Sequence, residues 1–215
     1  MENLIQTLAI YAIPVIFAIT LHEAAHGYVA RHFGDPTAWQ LGRITLNPVK
    51  HVDPVGTLLV PALLLFFTKG AFLFGWAKPV PVDFSRLRKP KQDMLWVAAA
   101  GPGANLFMAF AWALILKLAV IMPDNAYSLP LAEMARAGIT VNAVLMLLNL
   151  LPIPPLDGGR IAVSLLPPPL AWNFAQVERY GFVILLALMF LGGLELILTP
   201  MMRVFLSFIK NLFAL

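Results

Sequence analysis

The chain has 215 residues, of which 60% are hydrophobic and only 12% charged, and its mean hydropathy is +0.81. So few charges cannot cover a soluble surface, where about 25% is usual. The net charge of +4 is spread over short loops with no clustered patch, which excludes a nucleic-acid partner and fits a lipid bilayer with basic loops on one face.

The chain contains no cysteine, so thiolate metal ligands and a cysteine nucleophile are also excluded. The reading is an all-α polytopic membrane protein, a single domain over 1–215. The first apolar run is not a removable signal peptide, because it lacks a basic start, opens with Glu2 and shows no small-residue cleavage pattern.

In chain order, a first helix is predicted from about Leu4 to Phe33, stopped by Gly34-Asp35-Pro36. Residues 37–54 are polar and punctuated by Gly42, Asn47-Pro48 and Asp53-Pro54. An apolar insert at 55–74 follows, then an extended stretch at 75–83 whose prolines forbid helix. A long helix is predicted over 92–122. Another ends at Leu151, with its apolar part beginning near Ile139. Residues 152–160 read as irregular, and Pro167-Pro168-Pro169 breaks the chain again. A final span is expected over about 179–198 and an interfacial tail over 201–215.

The chemistry concentrates at His22-Glu23-Ala24-Ala25-His26. On a helix, residues four apart share a face, so two imidazoles can hold one Zn2+ while Glu23 serves as general base. Ionisable groups inside an apolar helix are costly and usually functional. A catalytic zinc site needs a third protein ligand. His32 lies six residues on, about 240° round the helix from His26. His51 and Asp53 sit in a loop that no local geometry favours. Asp157 is favoured, presented by the proline- and glycine-rich segment after Asn149. Non-helical backbone at membrane depth is tolerated only where protein or a wet cavity surrounds it.

These pieces meet at one depth only if an even number of crossings separates Phe33 from Gln92. The insert is therefore expected to be a re-entrant hairpin, turning near Pro61 or at 68–70; a single short span is the alternative. Basic residues on both sides of the insert place both loops in the cytoplasm by the positive-inside rule.

The motifs His22-Glu23-x-x-His26, Gly101-Pro102-Gly103-Ala104-Asn105 and Asn149-x-x-Pro152-x-Pro154-x-Leu156-Asp157-Gly158 resemble, in order and setting, the site-2 protease family of intramembrane zinc metalloproteases. The resemblance covers about residues 5–165 and is to compact bacterial or archaeal-type members without PDZ or CBS domains. It implies a three-span zinc-protease core in the cell membrane, with Zn2+ held by His22, His26 and Asp157 and with Glu23 as base. It further implies that Asn149 and Asn105 lie near the substrate or transition state. Membrane-protein substrates and peptide-bond hydrolysis within or near their spans would follow. The extended stretch at 75–83 would offer a strand edge to an unwound substrate. Two rival readings are a metal-ion transporter, which needs ligands in series, and a protein that binds membrane helices without cutting them.

Overall fold

The computed structural model describes residues 2–68, 75–123 and 125–215. The first apolar run forms helix α1, Glu2–His32, which carries Pro14 inside it and ends where Gly34 takes a positive φ of 113°. Asp35 then locks the exit. It is fully buried, accepts from the Thr37 amide and hydroxyl, and accepts from the Asp83 amide at 2.7 Å. A short helix α2, Thr37–Gln40, and two single turns at 48–51 and 54–59 lead to helix α3, Val60–Thr68.

The expected hairpin turn at 68–70 falls largely on residues outside those described. The ends of the insert are informative. Trp76 N donates to Gly56 O at 3.0 Å, and Thr57 Oγ1 donates to Trp76 O at 2.8 Å. A segment that leaves and returns at one place is a hairpin and not a crossing. The stretch from 75 to 83 is extended and joins no sheet.

Helix α4, Pro90–Ile121, carries the Gly101-Pro102-Gly103 sequence through without a break. Helix α5, Ser128–Asn149, begins well before the expected apolar start at Ile139 and is long enough to cross. Here the small residues Ala132, Ala135, Ala137 and Gly138 supply a packing face that a hydropathy run does not reveal. A Cβ on Gly138 would lie 2.3 Å from the Trp112 ring, so this glycine lets α4 and α5 approach closely. The interface uses alanines throughout, including Ala109, Ala113 and Ala143, all fully buried. The bulky apolar residues instead point outward, among them Ile13, Phe17, Phe107, Leu114 and Ile121. This inversion of a soluble core is what a lipid solvent allows.

Two expectations need correction. The irregular segment expected over 152–160 ends at Leu156, and Asp157–Leu165 forms helix α6. Its two glycines keep negative φ and serve close packing, because Cβ atoms at 158 and 159 would lie 2.3 Å from Leu151 O and 2.5 Å from Pro154 N. The C-terminal part is also divided differently. After helix α7, Pro168–Ala175, comes helix α8, Glu178–Phe190, which stops where Gly192 turns left-handed at φ 74°. The long apolar helix is α9, Gly193–Phe213, and it packs on α4 and α5 through the buried Ile209. The expected span at 179–198 runs across that break, and most of the expected tail at 201–215 belongs to the span. Among the described residues, four helices are long and apolar enough to cross a membrane: α1 from Ala9, α4, α5 and α9. The protein is a multi-pass, all-helical membrane protein.

Candidate metal centre

Antiparallel packing of α1 on α4 places His22 beside Asn105 and His26 beside Val97 and Gly101. Residues 150–156 then fold back from the end of α5, with Leu151 N bonded to Leu148 O and Ile153 N to Leu151 O. The first residue of α6 is thereby delivered to the two histidines. Helix α8 braces this segment from outside, since a Cβ on Gly181 would meet Pro154 O at 1.9 Å.

His22 Nε2 and His26 Nε2 are 3.2 Å apart, and each lies 3.3 Å from Asp157 Oδ2. The three atoms form a nearly equilateral triangle. A tetrahedral zinc with bonds of about 2.0–2.1 Å separates its ligand atoms by about 3.3–3.4 Å, so the triangle has the dimensions of one ligand face.

Proton placement sharpens this fit. His26 Nδ1 donates to Val97 O at 2.7 Å, and a carbonyl can only accept. Asn105 Nδ2 donates to Ala18 O at 3.1 Å, which turns its Oδ1 toward His22 Nδ1 at 2.6 Å. In the neutral form each ring would therefore carry its proton on Nδ1 and leave Nε2 bare, as a metal ligand requires. Asp157 Oδ2 is buried and lacks a hydrogen-bond donor. Three acceptors converging without a donor repel one another, and a cation between them removes the repulsion. Two imidazoles, one carboxylate and no thiolate suit Zn2+.

Glu23 is next to His22 in sequence and is tied elsewhere. Its Oε2 accepts from Val80 N at 2.7 Å, the central amide of the extended stretch. That stretch is itself stitched down: Lys78 N donates to His51 O, and Arg43 Nη2 donates to Lys78 O and Pro79 O. Its amides at 78, 80 and 83 are thus engaged within the chain, and Pro79 and Pro81 have none. The expectation of a free strand edge at 75–83 gives way to a strap that holds the carboxylate of Glu23.

The other sequence candidates separate cleanly. His32 is exposed at the end of α1 with its ring against Phe33. His51 is buried, and its Nε2 donates to Thr45 O. Asp53 accepts from the amides of Val55 and Gly56 and caps a turn. Among the described residues, one His/Asp/Glu cluster has metal-holding geometry. Asn149 ends α5 with its amide donating to Leu145 O. Asn105 is fully buried and spends its amide on Ala18, Asn142 and His22, which puts it behind a candidate ligand. Asn142 was missed by sequence reasoning; its only signal was a polar residue within an apolar helix.

No family model matches the chain, and no solved structure matches it. Curated relatives do. The chain is 42% identical over 94% of its length to a Bacillus subtilis protein that carries the provisional name zinc metalloprotease YwhC, and it covers 90% of that protein. It is 31% identical over 84% of its length to a Mycolicibacterium smegmatis protein provisionally named zinc metalloprotease Rip2, of which it covers 66%. A Mycobacterium tuberculosis Rip2 is 32% identical over 80% of the chain. With this extent of likeness and with the three motifs assembled about one centre, the chain belongs to the site-2 protease family of zinc metalloproteases.

Proposed function

We propose that this protein is an intramembrane endopeptidase that hydrolyses peptide bonds within or near the spans of membrane-protein substrates. The observation that carries the reading is the triangle of bare acceptors at His22, His26 and Asp157, with a carboxylate beside it. Those three residues hold the metal. When bound there, Zn2+ supplies Lewis-acid polarisation of a carbonyl and makes a water more acidic.

The remaining chemistry belongs to the chain. Val80 N–H fixes Oε2 of Glu23, so Oε1 is left to take the proton of the attacking water. Glu23 then returns that proton to the leaving nitrogen. Asn149 stands at the end of α5, eight residues before Asp157, and donates to the developing oxyanion once its amide leaves Leu145 O. A helical substrate must unwind first, because its carbonyls are already hydrogen-bonded. The basic loops at 31–50 and 78–91 support a centre nearer the cytoplasmic face of a bacterial or archaeal cell membrane, by the positive-inside rule.

Purified wild type and Glu23→Gln, assayed for zinc content and for cleavage of a panel of single-span peptides, test the reading. One zinc in each and cleavage by wild type alone is expected. Cleavage by both would remove Glu23 from its role. Zinc flux into liposomes by wild type would favour transport instead, although transport needs ligands in series and the described residues offer a single cluster.

A further inference from the structure

The amide of Asn142, in the middle of α5, touches neither the metal triangle nor any surface. It is fully buried. Its Nδ2 donates to Gly138 O at 2.8 Å, and its Oδ1 accepts from Asn105 Nδ2 at 3.0 Å. Asn105 Nδ2 also donates to Ala18 O, and Asn105 Oδ1 faces His22 Nδ1. Every step of this chain has a fixed direction. Gly138 O and Ala18 O are carbonyls and can only accept, so flipping either amide would set its oxygen against a carbonyl, acceptor against acceptor. The ladder Gly138–Asn142–Asn105–His22 therefore ties the backbone of α5 and α1 to the tautomer of a metal-binding imidazole.

We propose that Asn142 is a positioning residue for the metal centre: it holds the Asn105 amide in the one orientation that keeps the proton on His22 Nδ1 and the lone pair on Nε2 aimed at the metal. The inference rests on the assignment of His22 as a ligand. Without Asn142, one N–H of Asn105 loses its buried acceptor. The amide can then rotate toward other acceptors and release His22. Loss of a hydrogen-bonding partner behind a ligand typically weakens metal affinity about 10–100-fold. Asn142 stands one bond further back, so the lower end of that range applies.

The test uses the full chain in detergent. Zinc affinity is measured by chelator competition, and the visible spectrum of the Co2+-loaded protein is recorded, for wild type, His22→Ala, Asn142→Leu and Asn142→Ser. The melting temperature of each metal-free protein is read separately. Leucine fills the volume without an amide. Serine is smaller and keeps a hydroxyl for Gly138 O but is too short to reach Asn105. Expected are a roughly tenfold weaker zinc affinity and an altered Co2+ spectrum in both Asn142 variants, at temperatures where the metal-free proteins are folded. A purely structural role would lower the melting temperature and leave affinity and spectrum unchanged. That result, with His22→Ala still weak, overturns the inference alone. Wild-type affinity in His22→Ala would overturn the ligand assignment, and the inference with it.

Discussion

A methyl group at position 101 would lie 2.4 Å from His26 Nε2 and 2.6 Å from His22 Nε2, the two nitrogens that form one edge of the metal triangle. Gly103, two residues along the same helix, has nothing within 4 Å of the same methyl. The pair makes an internal control. Gly101→Ala is expected to displace both imidazoles and to weaken zinc binding by at least about tenfold, in the range seen when metal sites are misaligned. Gly103→Ala is expected to leave zinc affinity unchanged and to be neutral or stabilising by up to about 1 kcal/mol, as for alanine over glycine in a helix. Chelator competition and melting of the two variants side by side measure both effects. Equal zinc affinities would show that the helix backs away at 101 and that the close contact is not enforced. At this scale the sequence was legible where residue chemistry is distinctive. The His-Glu-x-x-His spacing and the Asp157 carboxylate point to a metal through ligand type, and the structure brings His22, His26 and Asp157 together. Asn105 and Asn142 do not, because an asparagine in an apolar helix reads the same whether it faces a substrate, another helix or the back of a ligand.

Among the elements, the strap from 75 to 83 couples most directly to the chemistry. Two prolines remove its amides at 79 and 81, and the amide between them, at Val80, is given to Glu23. The pattern Lys-Pro-Val-Pro-Val thus reads as a chain stripped of competing donors around one that matters. Val80→Pro removes that donor on a backbone already extended and also changes a buried side chain packed beside Gly27, so Val80→Ala, which keeps the amide, serves as its control. The expected outcome is full zinc occupancy with kcat lowered about 10- to 100-fold and KM little changed, since general-base catalysis is worth about 10²–10⁴ and orientation is part of it. Steady-state kinetics on a cleavable single-span peptide, alongside metal analysis, decide the matter. An unchanged kcat would mean that Glu23 positions itself without the strap. The C-terminal elements show where sequence reading fails at this scale. The run from Phe182 to Leu198 is apolar but for Glu195, and a hydropathy window passes over Gly192-Gly193. The backbone does not, because the left-handed turn at Gly192 ends one helix and starts the next. Helix α9 then continues through Pro200 and Arg203, both exposed, while Phe205, Leu206 and Ile209 on its other side pack on α4 and α5.

The whole molecule is organised by which end of each helix meets which. The C-terminal end of α1 meets the N-terminal end of α4, with Arg88 N bonded to Phe33 O at 3.0 Å, and the basic loops gather there. At the other end, Lys117 near the close of α4 donates from Nζ to Phe213 O at 2.6 Å, so α9 finishes beside the end of α4. The insert returns to its starting point and adds no crossing. Four spans with these contacts have one consistent topology: both basic loops on one side, and the α4–α5 connection with residue 215 on the other. The positive-inside rule predicts that the basic side is the cytoplasmic one. Because the chain has no cysteine, single introduced thiols report position without background. In intact cells, an impermeant maleimide is expected to label Asn125→Cys and Leu215→Cys, and to reach Lys50→Cys and Lys89→Cys only after the membrane is opened. Labelling of Leu215→Cys together with Lys50→Cys, and not with Asn125→Cys, would require an additional crossing and would separate α9 from the end of α4. The hydrogen bond from Lys117 to Phe213 could not then exist in the membrane, and the packing of Ile209 into the α4–α5 core would fall with it.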